Sequence, residues 1–201
     1  MTDLLLATTN PGKQRELGRL LADLPTRVVT PQQVGLDLDV PEPYDTYAEN
    51  ATAKADAYAR ASGLPTLADD SGLEVAALDW GPGVRTNRFG GPDVDDPVLH
   101  LLAQIADAED RRARMVCWLA VAMPGPTPAD APTIELFTGV IDGAVTRERR
   151  GDGGFGFDPI FLLPSGRTTA ELPEAEKDRI SHRGRAVAAA RPRLLELLGN
   201  P

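Results

Sequence analysis

Lysine is nearly missing from this chain: there are three, against eighteen arginines. Cysteine is reduced to Cys117 alone, which excludes an internal disulfide and points to a reducing compartment, the cytoplasm. No apolar run approaches the length of a membrane span. The opening Met1-Thr2-Asp3-Leu4-Leu5-Leu6-Ala7 has no basic flank and too short an apolar stretch for a secretory signal. Cations are outnumbered too, 21 Lys and Arg against 30 Asp and Glu, for a formal net charge of −9. That balance argues against a long nucleic-acid backbone as partner, because such binding needs many cations on one face. It leaves room for a small polyanion, since one triphosphate needs only a few local cations and a metal ion.

The rest is ordinary for a globular protein. With 201 residues, 42% hydrophobic and 25% charged, the chain 1–201 suits a single domain with two merged lobes. Leu4-Leu5-Leu6-Ala7 reads as a buried strand, and Leu17, Leu20, Leu21 and Leu24 mark a helix with one apolar stripe. Thr26–Val29 is a second strand, and residues 31–45 are loop. Thr46-x-x-Glu49 is a capping box that opens an alanine-rich helix, with Gly63 as its stop. Pro65–Ala68 reads as a strand leading into Asp69-Asp70-Ser71-Gly72. A third helix starts at Asp95 or Asp96, burying Leu99, Leu102 and Ile105. Arg114–Ala122 and Thr133–Ile141 are two long strands joined by a stiff, exposed connection with Pro124, Pro126, Pro128 and Pro132. The last helix runs from about Ser181, with Pro192 kinking or breaking it. Interspersed strands and helices make the class α/β.

All three lysines fall in segments suited to phosphate. Lysine is a compact, strongly hydrated point charge on a flexible stem, and fits a phosphate oxygen in a tight site. Lys13 closes Thr8-Thr9-Asn10-Pro11-Gly12-Lys13, a strand-loop-helix cradle whose helix N–H groups would point outward. It is no Walker loop, for the first glycine is missing and Gln14 stands where a Ser or Thr would hold magnesium. Lys54 follows Asn50 at i+4, so both point from one helical face. Lys177 precedes Ser181-His182-Arg183, a donor-rich cluster able to read carbonyl oxygens.

Asp69 and Asp70 are adjacent carboxylates, which diverge: one would enter the ligand crevice while the other braces the loop. Taken alone, Asp-Asp-Ser-Gly reads better as an Asx-turn, for which it is excellent material. Glu49 is occupied by its capping role, whereas Glu42 has no local task, which makes it the better metal candidate. Gly151-Asp152-Gly153-Gly154-Phe155-Gly156 matches a dinucleotide fingerprint in letters only. It follows the charged Arg147-Glu148-Arg149-Arg150 and leads to Asp158-Pro159, so a base-holding loop with Phe155 and Phe157 fits better.

In this order and spacing the segments resemble the inosine/xanthosine triphosphate pyrophosphatase family, which removes nonstandard purine nucleotides from the precursor pool. The match spans Ala7–Lys13, Glu49-Asn50-Ala51, Ala68–Leu73, Pro82-Gly83-Val84, Arg88-Phe89, Gly154–Phe161 and Ile180–Gly184. The resemblance implies an elongated α/β fold built on a long mixed sheet, with two lobes around a central cleft, and a homodimer. It implies Mg²⁺-dependent hydrolysis of ITP, dITP or XTP to the monophosphate and pyrophosphate. By position, Thr8, Thr9, Asn10, Pro11, Gly12 and Lys13 would hold phosphates, and Lys54 would add charge. Asp70 would be proton acceptor and metal ligand, with Glu42 the second ligand. Ser71, Phe155, Gly156, Phe157, Asp158, Lys177, His182 and Arg183 would contact substrate. Thr9 departs from the smaller Gly or Ser common there, and Phe157 from Tyr, losing a hydroxyl. Two other readings stay open: a pyrophosphatase for modified pyrimidine triphosphates, and a non-catalytic nucleotide-binding regulator that would need the lysines but not Asp70 and Glu42.

Overall fold

The computed structural model describes residues 3–127 and 129–199. Met1 and Thr2 of the opening segment and Pro128 of the proline-rich connection lie outside the described residues. The strands are β1 (Leu4–Leu6), β2 (Val28–Val29), β3 (Thr66–Val75), β4 (Gly81–Pro82), β5 (Arg112–Met123), β6 (Thr133–Val145) and β7 (Phe161–Leu162). The helices are α1 (Pro11–Leu20), α2 (Tyr47–Ser62), α3 (Pro97–Gln104), α4 (Glu174–Ile180) and α5 (His182–Leu198). Among the described residues the strands form one seven-stranded sheet in the order β2-β1-β3-β5-β6-β7, with β4 paired to β3. β1 pairs in parallel with β2 and β3, whereas β3–β4 and β6–β7 are antiparallel, so the expected α/β class with a mixed sheet holds.

The chain divides into two compact units. One takes the residues up to Asp70, Cys117–Gly139 and those from Arg183 on; the other takes Ser71–Val116 and Val140–His182. In the first unit, strand alternation builds two apolar layers. Leu4, Leu6, Leu67, Cys117, Leu119 and Val121 share a buried cluster with Leu17 and Leu21 near α1 and with Ala186, Val187, Ala190 and Leu194 of α5. Leu5, Ala7, Ala68, Ala120 and Ala122 share the other with Ala51, Ala55, Tyr58 and Ala59 of α2. Successive strand residues point to opposite faces, so one strand serves both layers. The second unit has its own core, with Leu73, Val75, Val98, Leu101, Ile105, Met115, Ile141, Ile160 and Phe161 among its members.

Local chemistry explains most boundaries. Thr46 caps α2 by accepting from the Glu49 N–H at 3.2 Å, and Gly63 ends it at φ +68°, where a side chain would be strained. Asp96 caps α3 through the N–H groups of Val98 and Leu99. α4 went unread in the sequence although its signals are present: Glu174 and Glu176 in the first turn, Lys177 and Arg179 in the last, complementing the helix dipole. Ser181 is an extended residue between α4 and α5, and α5 continues through Pro192 without splitting.

Two expectations need correction. β3 does not stop at Ala68; it runs through Asp69, Asp70, Ser71 and Gly72 to Val75, so the Asx-turn is absent. Asp is a poor strand former, but buried partners outweigh that preference. On α3, Leu99 is 57% exposed, while Val98 and Leu101 are buried with Ile105. Both sets have helical spacing, and eight residues are too few for the pattern to choose the phase. Leu101→Ala should therefore cost about 2–5 kcal/mol in urea denaturation. Leu99→Ala should stay within about 0.5 kcal/mol of the parent. Equal costs would contradict the observed phase of α3.

Candidate active site

The first unit gathers most of the chemistry around β3. The chain leaves β1 through Thr8, whose Oγ1 accepts from the Asn10 N–H at 3.2 Å. Asn10 caps α1: its Oδ1 accepts from Gly12 N–H at 2.9 Å and Lys13 N–H at 3.1 Å, with Pro11 in the first helical turn. Those two N–H groups, expected to point outward, are thus taken up by the cap. Thr9 and Pro11 are exposed, and Thr8 and Gly12 are buried.

Alternation along β3 then sends the two carboxylates apart. Asp69 shares the face of Leu67, toward α1 and α5. Its Oδ2 meets Lys13 Nζ at 3.0 Å and Arg183 Nη2 at 3.4 Å, and Arg183 Nη1 reaches Glu16 Oε2 at 3.0 Å. Lys13, Glu16, Asp69 and Arg183 are all at most 4% exposed. Two cations and two anions make this buried quartet neutral, the condition under which burying charge is tolerable. Burial alone would raise the Asp69 carboxyl, but Lys13, Arg183 and Lys54 outweigh it and hold the group well below the usual carboxylate range. Asp69 is therefore a permanent anion.

Asp70 shares the face of Ala68, toward α2. Asn50 Nδ2 donates to its Oδ2 at 3.1 Å. Burial raises its carboxyl to about 6, and Glu42 pushes the same way, against Lys13 and Lys54. Lys54, one turn on from Asn50, donates to the Asp69 carbonyl at 3.0 Å and pairs with the Glu42 carboxylate. Burial would lower the Lys54 ammonium, but the charges of Asp69, Glu42 and Asp70 win and raise it. Adjacent carboxyls driven in opposite directions are a pattern associated with acid–base chemistry.

The oxygen donors around Asp70 suit a hard divalent cation. Glu42 is close enough to act electrostatically on Asp70. No group of three or more His, Cys, Asp and Glu side chains forms a metal cluster among the described residues. Mg²⁺ needs no such cage, since it is often held by one or two carboxylates with water and substrate phosphate. A structural zinc, by contrast, takes four protein ligands.

The second unit holds a separate polar cluster. Asp158 Oδ2 accepts from Phe155 N–H at 2.7 Å and Lys177 Nζ at 2.6 Å, and its Oδ1 accepts from Thr169 Oγ1 at 2.8 Å. Gly154 sits at φ +71°, and a Cβ there would come within 2.1 Å of Asp158 Oδ2, so only glycine lets the loop wrap its own carboxylate. Lys177 Nζ lies 5.2 Å from the Phe155 ring centroid. Phe157, expected to offer a stacking face, is 8% exposed within the unit's apolar core, while Gly156 is exposed. Ser71 and His182 are buried and adjoin Asp70 and Arg183 in sequence.

Sequence reasoning passed over Asp69 and Glu16 as site members. Strand alternation through Asp69 was the available signal. For Glu16 there was none, because a carboxylate three residues after Lys13 reads as a solvated helix face.

The sequence profile of the Ham1 family matches residues 4–193. The chain is 46% identical over 188 residues to a dITP/XTP pyrophosphatase of Syntrophobacter fumaroxidans, covering 92% of this chain and 78% of that protein. It is 45% identical over 200 residues to a dITP/XTP pyrophosphatase of Symbiobacterium thermophilum, covering 97% and 96%. Among solved structures it resembles a HAM1 protein from Coxiella burnetii, with a TM-score of 0.83 and 40% identity over 98% of this chain and 100% of that one.

The two neighbouring acids should behave oppositely when neutralised. Asp69→Ala removes the buried carboxylate that meets both Lys13 and Arg183 and should cost about 3–5 kcal/mol in chemical denaturation. Asp70→Asn removes a carboxylate whose charge burial disfavours, and its midpoint at neutral pH should equal or exceed the parent's. The reverse order of stabilities would refute this division of roles.

Proposed function

The chain belongs to the Ham1 family, and from that premise we propose that it hydrolyses nonstandard purine nucleoside triphosphates (dITP, ITP and XTP) to the monophosphate and pyrophosphate, with Mg²⁺ held by Asp70 and Glu42. The observation that carries the mechanism is the split between Asp69 and Asp70. With no metal bound, burial raises the Asp70 carboxyl to about 6, and bound Mg²⁺ would lower it again. Asp70 is the proton acceptor in this reading because strand alternation turns it away from the Lys13–Arg183 pair that occupies Asp69 and toward Asn50 and Lys54. Asp69, locked as an anion, holds Lys13 in place.

Attack on a phosphate anhydride brings a nucleophile toward dense negative charge, so positioned cations dominate the catalysis. An ammonium carries three donors. Lys13 uses one on Asp69, and Lys54 uses two on Glu42 and the Asp69 carbonyl, so each can also meet a phosphate oxygen. When bound, Mg²⁺ would add further charge stabilisation for the leaving pyrophosphate. In the second unit, Lys177, which donates to Asp158 and lies over the Phe155 ring, would be the group that meets a purine 6-carbonyl. Adenine carries an amino donor at that position, and a polar mismatch of this kind can discriminate by about 10⁴–10⁵. A cytoplasmic homodimer belongs to the same reading, as does the absence of membrane or nucleic-acid partners. No helix among the described residues is long and apolar enough to cross a membrane.

Pyrophosphate release from dITP, ITP, XTP, GTP, ATP and a modified pyrimidine triphosphate, with and without Mg²⁺, tests the proposal directly. Turnover should need Mg²⁺ and favour the first three; equal turnover of ATP would overturn it. Asp70→Asn should lower kcat by roughly 10²–10³ in a folded protein, by analogy with loss of one preorganised catalytic group. Full activity in that variant would remove Asp70 from its role.

A further inference from the structure

Asn50 is 1% exposed at the start of α2, and its amide is engaged on both ends. The Oδ1 accepts from the Tyr44 N–H at 3.1 Å; the Nδ2 donates to the Tyr44 carbonyl at 3.2 Å and to Asp70 Oδ2 at 3.1 Å. These partners dictate the amide's orientation, because only its oxygen can receive an N–H and only its NH₂ can meet a carbonyl and a carboxylate. The helix itself needs nothing from this side chain, since Thr46 is already the cap. Tyr44 follows Glu42 by two residues. One buried amide therefore ties the loop that carries Glu42 to the strand that carries Asp70.

We infer that Asn50 is a positioning residue: it sets the separation and orientation of the Asp70 and Glu42 carboxylates without itself meeting metal or substrate. The inference rests on the reading of those two acids as the cation's ligands. Asp70 is on a buried strand, whereas Glu42 is half-buried in an otherwise exposed loop among prolines, so the loop would otherwise be the variable partner. Hydrogen bonds from Asn50 to both backbone groups of Tyr44 hold that loop, and the third bond aligns the carboxylate. Lys54 reinforces the arrangement one turn later by pairing with Glu42 and the Asp69 carbonyl. A preformed pair of oxygens binds a cation without first having to be ordered, and loss of such supporting contacts typically weakens metal affinity or activity about 10–100-fold.

The test titrates Mg²⁺ into the parent protein and into Asn50→Leu, Asn50→Ala and Thr46→Ala, following the thermal midpoint. Leucine keeps the volume but no donor, and Thr46→Ala weakens the same helix end without touching Asp70. Both Asn50 variants should raise the Mg²⁺ concentration for half-maximal stabilisation by about tenfold or more. Their kcat for dITP at fixed Mg²⁺ should fall comparably, with KM at saturating Mg²⁺ changed by less than about threefold. Thr46→Ala should lower the midpoint and leave Mg²⁺ half-saturation unchanged. Parent-like half-saturation in Asn50→Leu would overturn the inference, because filling the space would then suffice. So would an equal shift in Thr46→Ala, which would trace the effect to helix stability. An inactive parent whose Mg²⁺ half-saturation still separates from that of the Asn50 variants would sink the pyrophosphatase reading and keep this one. Unchanged half-saturation beside an active parent would do the opposite.

Discussion

A carboxylate with no exposure to water has to be met by positive charge, and Asp69 is such a group. Burying an isolated ion is far costlier than any single contact in a folded domain can offset, so the strand cannot form as it does unless cations arrive with it. Lys13 comes from α1 and Arg183 from the first turn of α5, segments remote in sequence, and Glu16 balances the second cation. The apolar cluster on that face brings α1 and α5 to the sheet, and the quartet determines where along β3 they settle. Lys13 is consequently held at the start of α1 with its ammonium at a defined place.

One residue further along the strand, the same geometry has the opposite result. Asp70 faces α2, where its immediate company is an amide, and where the cation Lys54 is shared with Glu42. Burial is left partly uncompensated, and the carboxyl rises where that of Asp69 falls. Two identical side chains in sequence thus take opposite faces and opposite electrostatic surroundings through nothing more than the two-residue period of a strand. Asp69 is met by Lys13 and Arg183 and Asp70 by the Asn50 amide, while the charges of Lys13 and Lys54 act on both.

The second unit solves a similar problem with a single carboxylate. Asp158 gathers the Phe155 N–H, the Thr169 hydroxyl and the Lys177 ammonium, and so orders a glycine-rich loop that has little apolar surface to bury. The glycines give the loop its reach; the aspartate decides its shape. Lys177 is thereby anchored over the Phe155 ring, a placement that composition alone would not suggest.

Much of this was legible in the residues themselves. The buried strand at Leu4–Leu6, the cap at Thr46, the glycine stop at Gly63 and the capped start at Asp96 are local events, set by side-chain shape and by bonds spanning a few residues. The ordered set of polar segments was enough to point to the family and its chemistry. What the tertiary structure alone decided is the course of β3 through two aspartates, the phase of α3 that buries Leu101 in place of Leu99, and the partners of Glu16 and Asn50. Each depends on partners tens of residues away or more, and the cost of burying a charge or an amide is settled by where those partners lie. A sequence read along its length displays the groups, while their protonation and their neighbours are properties of the folded chain.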